Sequence, residues 1–360
     1  MSAGRSPRIL LYGDFTWDRL AASYQRAFER LGHRVVPFDV RNMPGYLAPW
    51  LIHRAGYRAT IGSLALRRWG SRRWNAHLLR VSGEAEPHLV LILNGEFLMP
   101  ETIRALRGRG IKVFVFHADN PFPPHGSNRP ETLPSALESD VYLIWSRSLV
   151  HRLRSLGLNR VEHLPFAWDP HVFPARASWS NFKYDYDTVF VGGWDREREE
   201  WLTPVARAFD LKIWGPDYWG TRTRRGSPLR RCWQGGAVRG PEASSLLCRS
   251  RIALNVFRRQ NLPDGVIMRT FELPGCGAFS LSTRSAGAAE IFPEGEAAAY
   301  FSTAEELREQ IARYLADEEA RLRISLNAHA IVEGEHSYVH RARRILAILD
   351  EVWPEAEASG

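Results

Sequence analysis

The stretch "DGVIMRTFELPGCGA" (264–278) sets two carboxylates, Asp264 and Glu272, around a short apolar run that ends in Pro and Gly. A helix over this run opens with backbone N–H groups that have no intrahelical partner, at the positive end of its dipole, and such a start suits a phosphate. Arg258, Arg259 and Arg269 add cationic charge nearby. Glu272 lies about two turns beyond Asp264 at roughly 3.6 residues per turn. A carboxylate there can accept two ribose hydroxyls; the alternative is a surface carboxylate at a helix end. Phosphate and ribose together spell a nucleotide.

A second polar cluster is "FHADNPF" (116–122). His117 or Asp119 could take a proton from a substrate hydroxyl, provided geometry brings it within reach. The alternative is that Asp119 caps the following turn and His117 packs in a core. Asp14, in "YGDF", has the same two readings, with capping favoured. "YDYD" (184–187) contains an Asp-x-Asp pair, but it precedes an apolar strand instead of following one, so it reads as linker and not as a metal site. His336, Ser337, Tyr338 and His340 read as packing or capping residues. Cys232, Cys248 and Cys276 form no C-x-x-C pair. Neither a zinc site nor a disulfide framework is indicated, and buried free thiols are the reading.

These residues need elements to hold them. "RILLYGDF" (8–15) is a short apolar run ending in Gly-Asp, a buried strand; 19–33 has helical spacing and stops at Gly32; 34–40 is a second strand. Strand and helix then alternate through 87–95, 100–110, 111–121, 140–148 and 161–169. The stretch 169–186 lacks periodicity and reads as a linker. The alternation restarts with the strand 187–195, the helix 196–209 and the strand 211–217, and continues with a helix at 240–251 and strands at 252–257 and 278–283. The end is helical: 303–332 in two pieces, then 338–353. The fold class is α/β, with two Rossmann-like domains facing a cleft. Ligands bind such sheets at the carboxyl ends of strands. The tips to watch are Gly13-Asp14, Asn94-Gly95, His117 to Asn120, Gly192-Gly193 and Asn255. Glycines at 192 and 193 would let backbone approach a ligand closely; an ordinary tight turn is the alternative.

The chain has 360 residues, 44% hydrophobic and 24% charged. That composition agrees with two globular domains. No apolar run approaches the ~18 residues of a membrane span. The first residues do not form a signal peptide, so the expected location is the cytoplasm. The net charge of +8 comes largely from Arg-dense segments such as 66–74 and 220–231. Arg favours forked contacts with phosphate, so a nucleotide, nucleic acid or an anionic membrane surface is a fitting partner for them, beside a plain solvated surface.

The C-terminal half resembles the CgeB-like branch of GT-B glycosyltransferases. The resemblance rests on "ALNVFRRQN" (253–261), "MRTFELPGCGAFSLS" (268–282), "FPEGEAAAYFSTAEELREQIARYL" (292–315) and "HSYVHRARRIL" (336–346). It implies transfer of a sugar from a nucleotide-sugar donor to an acceptor, with no metal or other cofactor and no nucleic acid; peripheral membrane contact stays open. Related retaining enzymes carry two glutamates separated by seven residues. The second matches Glu272, which would bind the donor ribose; the first position is Asp264 here, a shorter side chain. The resemblance also implies a cation after the first strand of the second domain, offered by Arg196 and Arg198 in an alternating charge run that also reads as a solvated helix face. It implies that backbone at Val238, Arg239 and Gly240 holds the base; Asn255 at its strand tip, with Arg258, Asn261 and Arg269 nearby, completes the expected donor site. It implies domains at 1–172 and 173–336, with a last helix (337–360) crossing back to the first. Two rival functions remain: a nucleotide-sugar epimerase of the same architecture, and a non-catalytic two-lobed nucleotide or nucleic-acid binding protein.

Overall fold

The computed structural model describes residues 6–42, 64–95, 97–122, 132–158, 160–179, 183–259 and 264–353. The chain divides into two compact units, one formed by Met1–Leu164 with Val339–Gly360 and the other by Pro165–Tyr338.

The first unit is built on six parallel strands: β1 (Ile9–Gly13), β2 (Val35–Asp39), β3 (Leu89–Leu93), β4 (Lys112–His117), β5 (Val141–Ile144) and β6 (Val161–His163). Their order is β2-β1-β3-β4-β5-β6. The strands β1, β3 and β5 are buried along their whole length, as expected of a parallel sheet covered on both faces. The last helix, Tyr338–Val352, belongs to this unit from Val339 onward. Its buried residues Ala342, Ile345, Ile348 and Leu349 form the expected apolar stripe. Arg344 pairs with Glu162 on β6 at 3.3 Å, and Trp353 stacks on His88.

The second unit carries five parallel strands: β7 (Tyr186–Val191), β8 (Leu211–Trp214), β9 (Ser250–Asn255), β10 (Ser280–Thr283) and β11 (Ala299–Phe301). The order is β11-β10-β9-β7-β8. Chain direction across each sheet reverses once, between β1 and β3 in the first and between β7 and β9 in the second. Crevices at such switch points, outside the carboxyl ends of the strands, are where open α/β sheets bind ligands.

Several elements had no clear signal. The helix Leu64–Ala85 buries Trp74, Asn75, Leu78 and Ser82, so polar residues interrupt its inward face. The strand β11 is only three residues long. The stretch 169–179 has no regular element but is packed: Val172 and Phe173 are buried, and the Trp168 indole donates to the Phe173 carbonyl at 2.7 Å. The Asp-x-Asp carboxylates are engaged by arginines, Asp185 by Arg249 and Asp187 by Arg251. His336 packs on Phe271. Cys248 and Cys276 are buried and Cys232 half-buried.

Candidate functional site

At the second unit's switch point, β7 ends in Gly192-Gly193 and leads into the helix Arg196–Ala208. Asp195 caps that helix: its Oδ1 accepts the Arg198 backbone N–H at 2.9 Å. Its Oδ2 accepts Arg258 Nε, also at 2.9 Å. Arg198 folds inward over the Phe190 ring. Its Nη1 donates to the Gly193 carbonyl at 2.9 Å and its Nε to the Val256 carbonyl at 3.2 Å. One guanidinium thus laces the tip of β7 to the chain leaving β9. Burial pushes the Arg198 pKa down to about 10; Asp195 opposes the shift, while Arg258 and Arg269 add to it by repulsion.

The helix Met268–Cys276 supplies the other half. Ile267 at its N-cap provides no side-chain cap of the kind Ser, Thr, Asp or Asn would give. The first turn therefore depends on Thr270, whose hydroxyl accepts the Ile267 N–H at 3.2 Å. Gly277, in the left-handed region, ends the helix. Glu272 sits mid-helix with its side chain 11% exposed, and its Oε2 lies 3.1 Å from Arg269 Nη1. That nitrogen is buried, and the contact is an ion pair without hydrogen-bond alignment. The Arg269 guanidinium also lies over the Phe173 ring, 5.2 Å from its centroid. At the end of β9, Asn255 is 2% exposed and its Nδ2 has no hydrogen-bond partner among the described residues. A buried donor left unpaired is costly, so Asn255 Nδ2 marks a place where a ligand acceptor would lower the energy.

Of the residues expected at the donor site, Arg198, Arg258, Arg269 and Glu272 form one electrostatic cluster. Arg196 stands apart: its side chain is 76% exposed and pairs with Glu200 at 3.7 Å. Helix positions two apart face different ways. Asp264 lies in a turn ahead of the helix, as its polar loop "RRQNLPDG" suggests; because the helix begins only at Met268, Asp264 and Glu272 do not share a helix face. Gly192 is crowded, since a Cβ there would meet the Phe190 ring at 2.8 Å, and its carbonyl accepts the Trp219 indole at 2.9 Å. At Gly193 a Cβ would touch only the Arg198 guanidinium, at 4.0 Å. Val238 and Arg239 lead into the helix Gly240–Cys248, whose Gly240 is buried with φ of 53°. Asn261 lies outside the described residues. Asp195, which organises two of the arginines, was missed; its signal was an N-cap residue between a strand tip and a charged helix start.

In the first unit, His117 is fully buried at the end of β4, its Nδ1 3.3 Å from the Asn94 carbonyl and its ring stacked on Tyr142. Asp119 is exposed, and Asn120 caps the turn through the Phe122 N–H at 3.1 Å. Asp14 Oδ1 accepts both the backbone N–H and the hydroxyl of Thr16, at 2.9 and 2.7 Å. That is a local turn of the kind Asp forms readily. Among the described residues no three His, Cys, Asp or Glu side chains are grouped as a metal ion would require, and no helix is long and apolar enough to cross a membrane.

Residues 196–347 match the model of a family described as glycosyl transferase-like. No curated protein matches the chain. Among solved structures, it is similar to a glycosyltransferase from Rickettsia africae, with a TM-score of 0.66, 12% identity, and 98% of this chain and 100% of that one covered. It is also similar to a sucrose-phosphate synthase from Thermosynechococcus elongatus, with a TM-score of 0.65, 14% identity and coverages of 97% and 99%. Anabaena HepE in complex with UDP and glucose matches with a TM-score of 0.62, 14% identity and coverages of 96% and 100%. The fold of this chain is GT-B, and its residues 196–347 are similar to a family described as glycosyl transferase-like.

Proposed function

We propose that this chain is a glycosyltransferase that takes a sugar from a nucleoside-diphosphate donor. The observation that carries the reading is the cluster at the second unit's switch point: Arg198, Arg258 and Arg269 gathered with Glu272 and an uncapped helix start. In this reading the helix N–H groups and Arg269 hold the diphosphate and stabilise the charge that builds on it as the sugar leaves. Arg198 raises the local potential while tying two strand tips together. Glu272, held by Arg269, accepts the ribose hydroxyls. Catalysis is electrostatic, and no metal is needed. The finer assignment to the CgeB-like branch, the base contacts at Val238 to Gly240, the part played by Asp264 and the cytoplasmic location belong to the same proposal. The match of residues 196–347 and the UDP bound by HepE support it.

A second reading has one observation in its favour: a UDP-N-acetylglucosamine 2-epimerase described as putative, from Listeria monocytogenes, shares the fold with a TM-score of 0.57 at 11% identity. Turnover of a nucleotide sugar with no acceptor present would select it.

The test is a thermal-shift screen of UDP, GDP, ADP, CMP and dTDP, with and without EDTA, on wild type and Glu272→Ala. At a hundred times its Kd, one nucleotide adds about 2.7 kcal/mol to stability. That gain should survive EDTA and vanish in the variant. If no nucleotide stabilises the wild type, the donor reading fails.

A further inference from the structure

The helix Arg196–Ala208 has a second polar face, directed away from Arg198. There it borders a groove of about 400 Å³ whose other wall is the turn 224–228. Arg196, Glu200, Thr203 and Arg207 recur at spacings of four, three and four, so they stand on one side of the helix. Arg224 and Arg225 face them from the turn. Glu199 fixes the distance between the walls: it is 5% exposed, its Oε1 accepts the Arg224 backbone N–H at 2.9 Å, and its Oε2 accepts the Trp194 indole at 3.1 Å. Both oxygens of this carboxylate are therefore used as a strut. Glu200 is engaged with Arg196. Arg207, Arg224 and Arg225 remain, all exposed, with no carboxylate in ion-pair range among the described residues.

We propose that this groove is a second anion site, distinct from the strand-tip cluster, that takes a phosphorylated ligand. Four arginines (Arg196, Arg207, Arg224 and Arg225) line the groove against two carboxylates (Glu199 and Glu200), and a phosphate dianion balances the remaining excess of two positive charges. Its oxygens match the planar fork of Arg, which a monovalent point anion does not exploit. The volume suits a ligand of sugar-phosphate size. A soluble phosphorylated molecule and a lipid headgroup present the same dianion. The site stands independently of the glycosyltransferase reading, because none of its three key arginines belongs to the strand-tip cluster.

The experiment is calorimetric titration of pyrophosphate into the intact chain at low salt, alongside co-sedimentation with phosphatidylcholine vesicles containing phosphatidic acid. The proteins are wild type, Arg207→Gln/Arg225→Gln, Arg207→Lys/Arg225→Lys and Arg269→Gln. Saturable pyrophosphate binding is expected, weakened by salt. It should fall tenfold or more in the Gln double variant, persist in part in the Lys double variant with the same melting temperature, and persist in Arg269→Gln. The same arginine dependence seen with vesicles alone assigns the phosphate to a headgroup. Absence of binding by both probes, equal binding by the Gln double variant, or loss only in Arg269→Gln overturns the site. Arginine-dependent binding of a single-stranded oligonucleotide with neither phosphate probe bound also overturns it, in favour of a nucleic-acid surface.

Discussion

Each sheet has one switch point, and the two are furnished in opposite ways. Between β1 and β3 the polar groups satisfy one another: Asp14 holds Thr16, the Asn94 side chain accepts the Ala118 N–H at 2.9 Å, and the Asn94 carbonyl faces buried His117. Between β7 and β9 the polar groups are left in excess. Three arginines share one neighbourhood, Asn255 Nδ2 and Arg269 Nη1 lack hydrogen bonds among the described residues, and the adjoining helix lacks a side-chain cap. A self-satisfied tip stabilises a fold; a tip with surplus donors and charge is built to receive something. The contrast favours the proposed donor site in the second unit, and it is consistent with His117 and Asp14 holding their own strand tips.

The largest expected effect tests whether Arg198 is a strut as well as a charge. Arg198→Ala removes a mostly buried side chain and two bonds to carbonyls at the strand tips, and leaves Asp195 with one guanidinium fewer. Losses of buried charged hydrogen bonds of this kind cost about 3 kcal/mol. Arg196→Ala, two residues away but solvent-facing, should stay within roughly 0.5 kcal/mol. Urea midpoints of the two variants give the comparison; equal midpoints would remove the lacing role.

Next comes nucleotide binding itself. His117→Gln and Asp14→Asn should leave the nucleotide-induced thermal shift of the wild type intact. Arg269→Gln should weaken binding by about a hundredfold, roughly 2.7 kcal/mol. It removes the cation nearest Glu272 and the helix start. A first-unit variant that abolished the shift would erase the distinction between the two tips.

The strand tips themselves were legible in the sequence, though it offered His117, Asp119 and Asp14 as candidates beside the second unit's residues. Short apolar runs ending in Gly-Asp, Asn-Gly or Gly-Gly located the strand tips, because parallel strands buried on both faces leave little else polar. Glu272 and Arg269 were legible through their place in one helix. The separation of Arg196 from Arg198 was not, since an alternating charge run hides which member turns inward until packing on Phe190 decides it. The start of the Met268–Cys276 helix was also hidden. Thr270, not Asp264, closes its first turn, so the paired spacing of carboxylates did not translate into a shared face. The helix Leu64–Ala85 escaped because Asn75 and Ser82 occupy its buried side.

A smaller effect probes how tightly the binding helix is set. Gly275, near its end, lies against Trp168: a Cβ there would meet the indole at 2.4 Å. Trp168 is itself held by its indole bond to Phe173, whose ring lies under Arg269. Gly275→Ala should therefore cost about 2 kcal/mol by overpacking. It should also weaken nucleotide binding, through displacement of Phe173 and Arg269. A destabilised variant with unchanged nucleotide affinity would show that the helix is supported elsewhere.

The smallest effect concerns a strand-tip cation that already has its partner. Arg284 follows β10, and Glu294 takes it in a fork, at 2.8 and 2.7 Å. This pairing, against a smaller opposing effect of burial, holds the Glu294 carboxyl below its ordinary range. Because the folded value is depressed, its contribution is present in full above the unfolded pKa of about 4.3. It is lost as pH falls through the lower folded value. The Glu294 side chain is 45% exposed. Screening therefore limits the contribution to at most about 1 kcal/mol. Glu294→Gln should thus be slightly less stable than wild type at pH 7, with the gap closing below about pH 4. Arg284, left with Glu306 at 3.6 Å as its carboxylate partner, should not add nucleotide affinity, since charge at β10 lies away from the β7–β9 switch point. A gain in affinity would mean that the second unit's binding region extends one strand further than the Arg198 cluster implies.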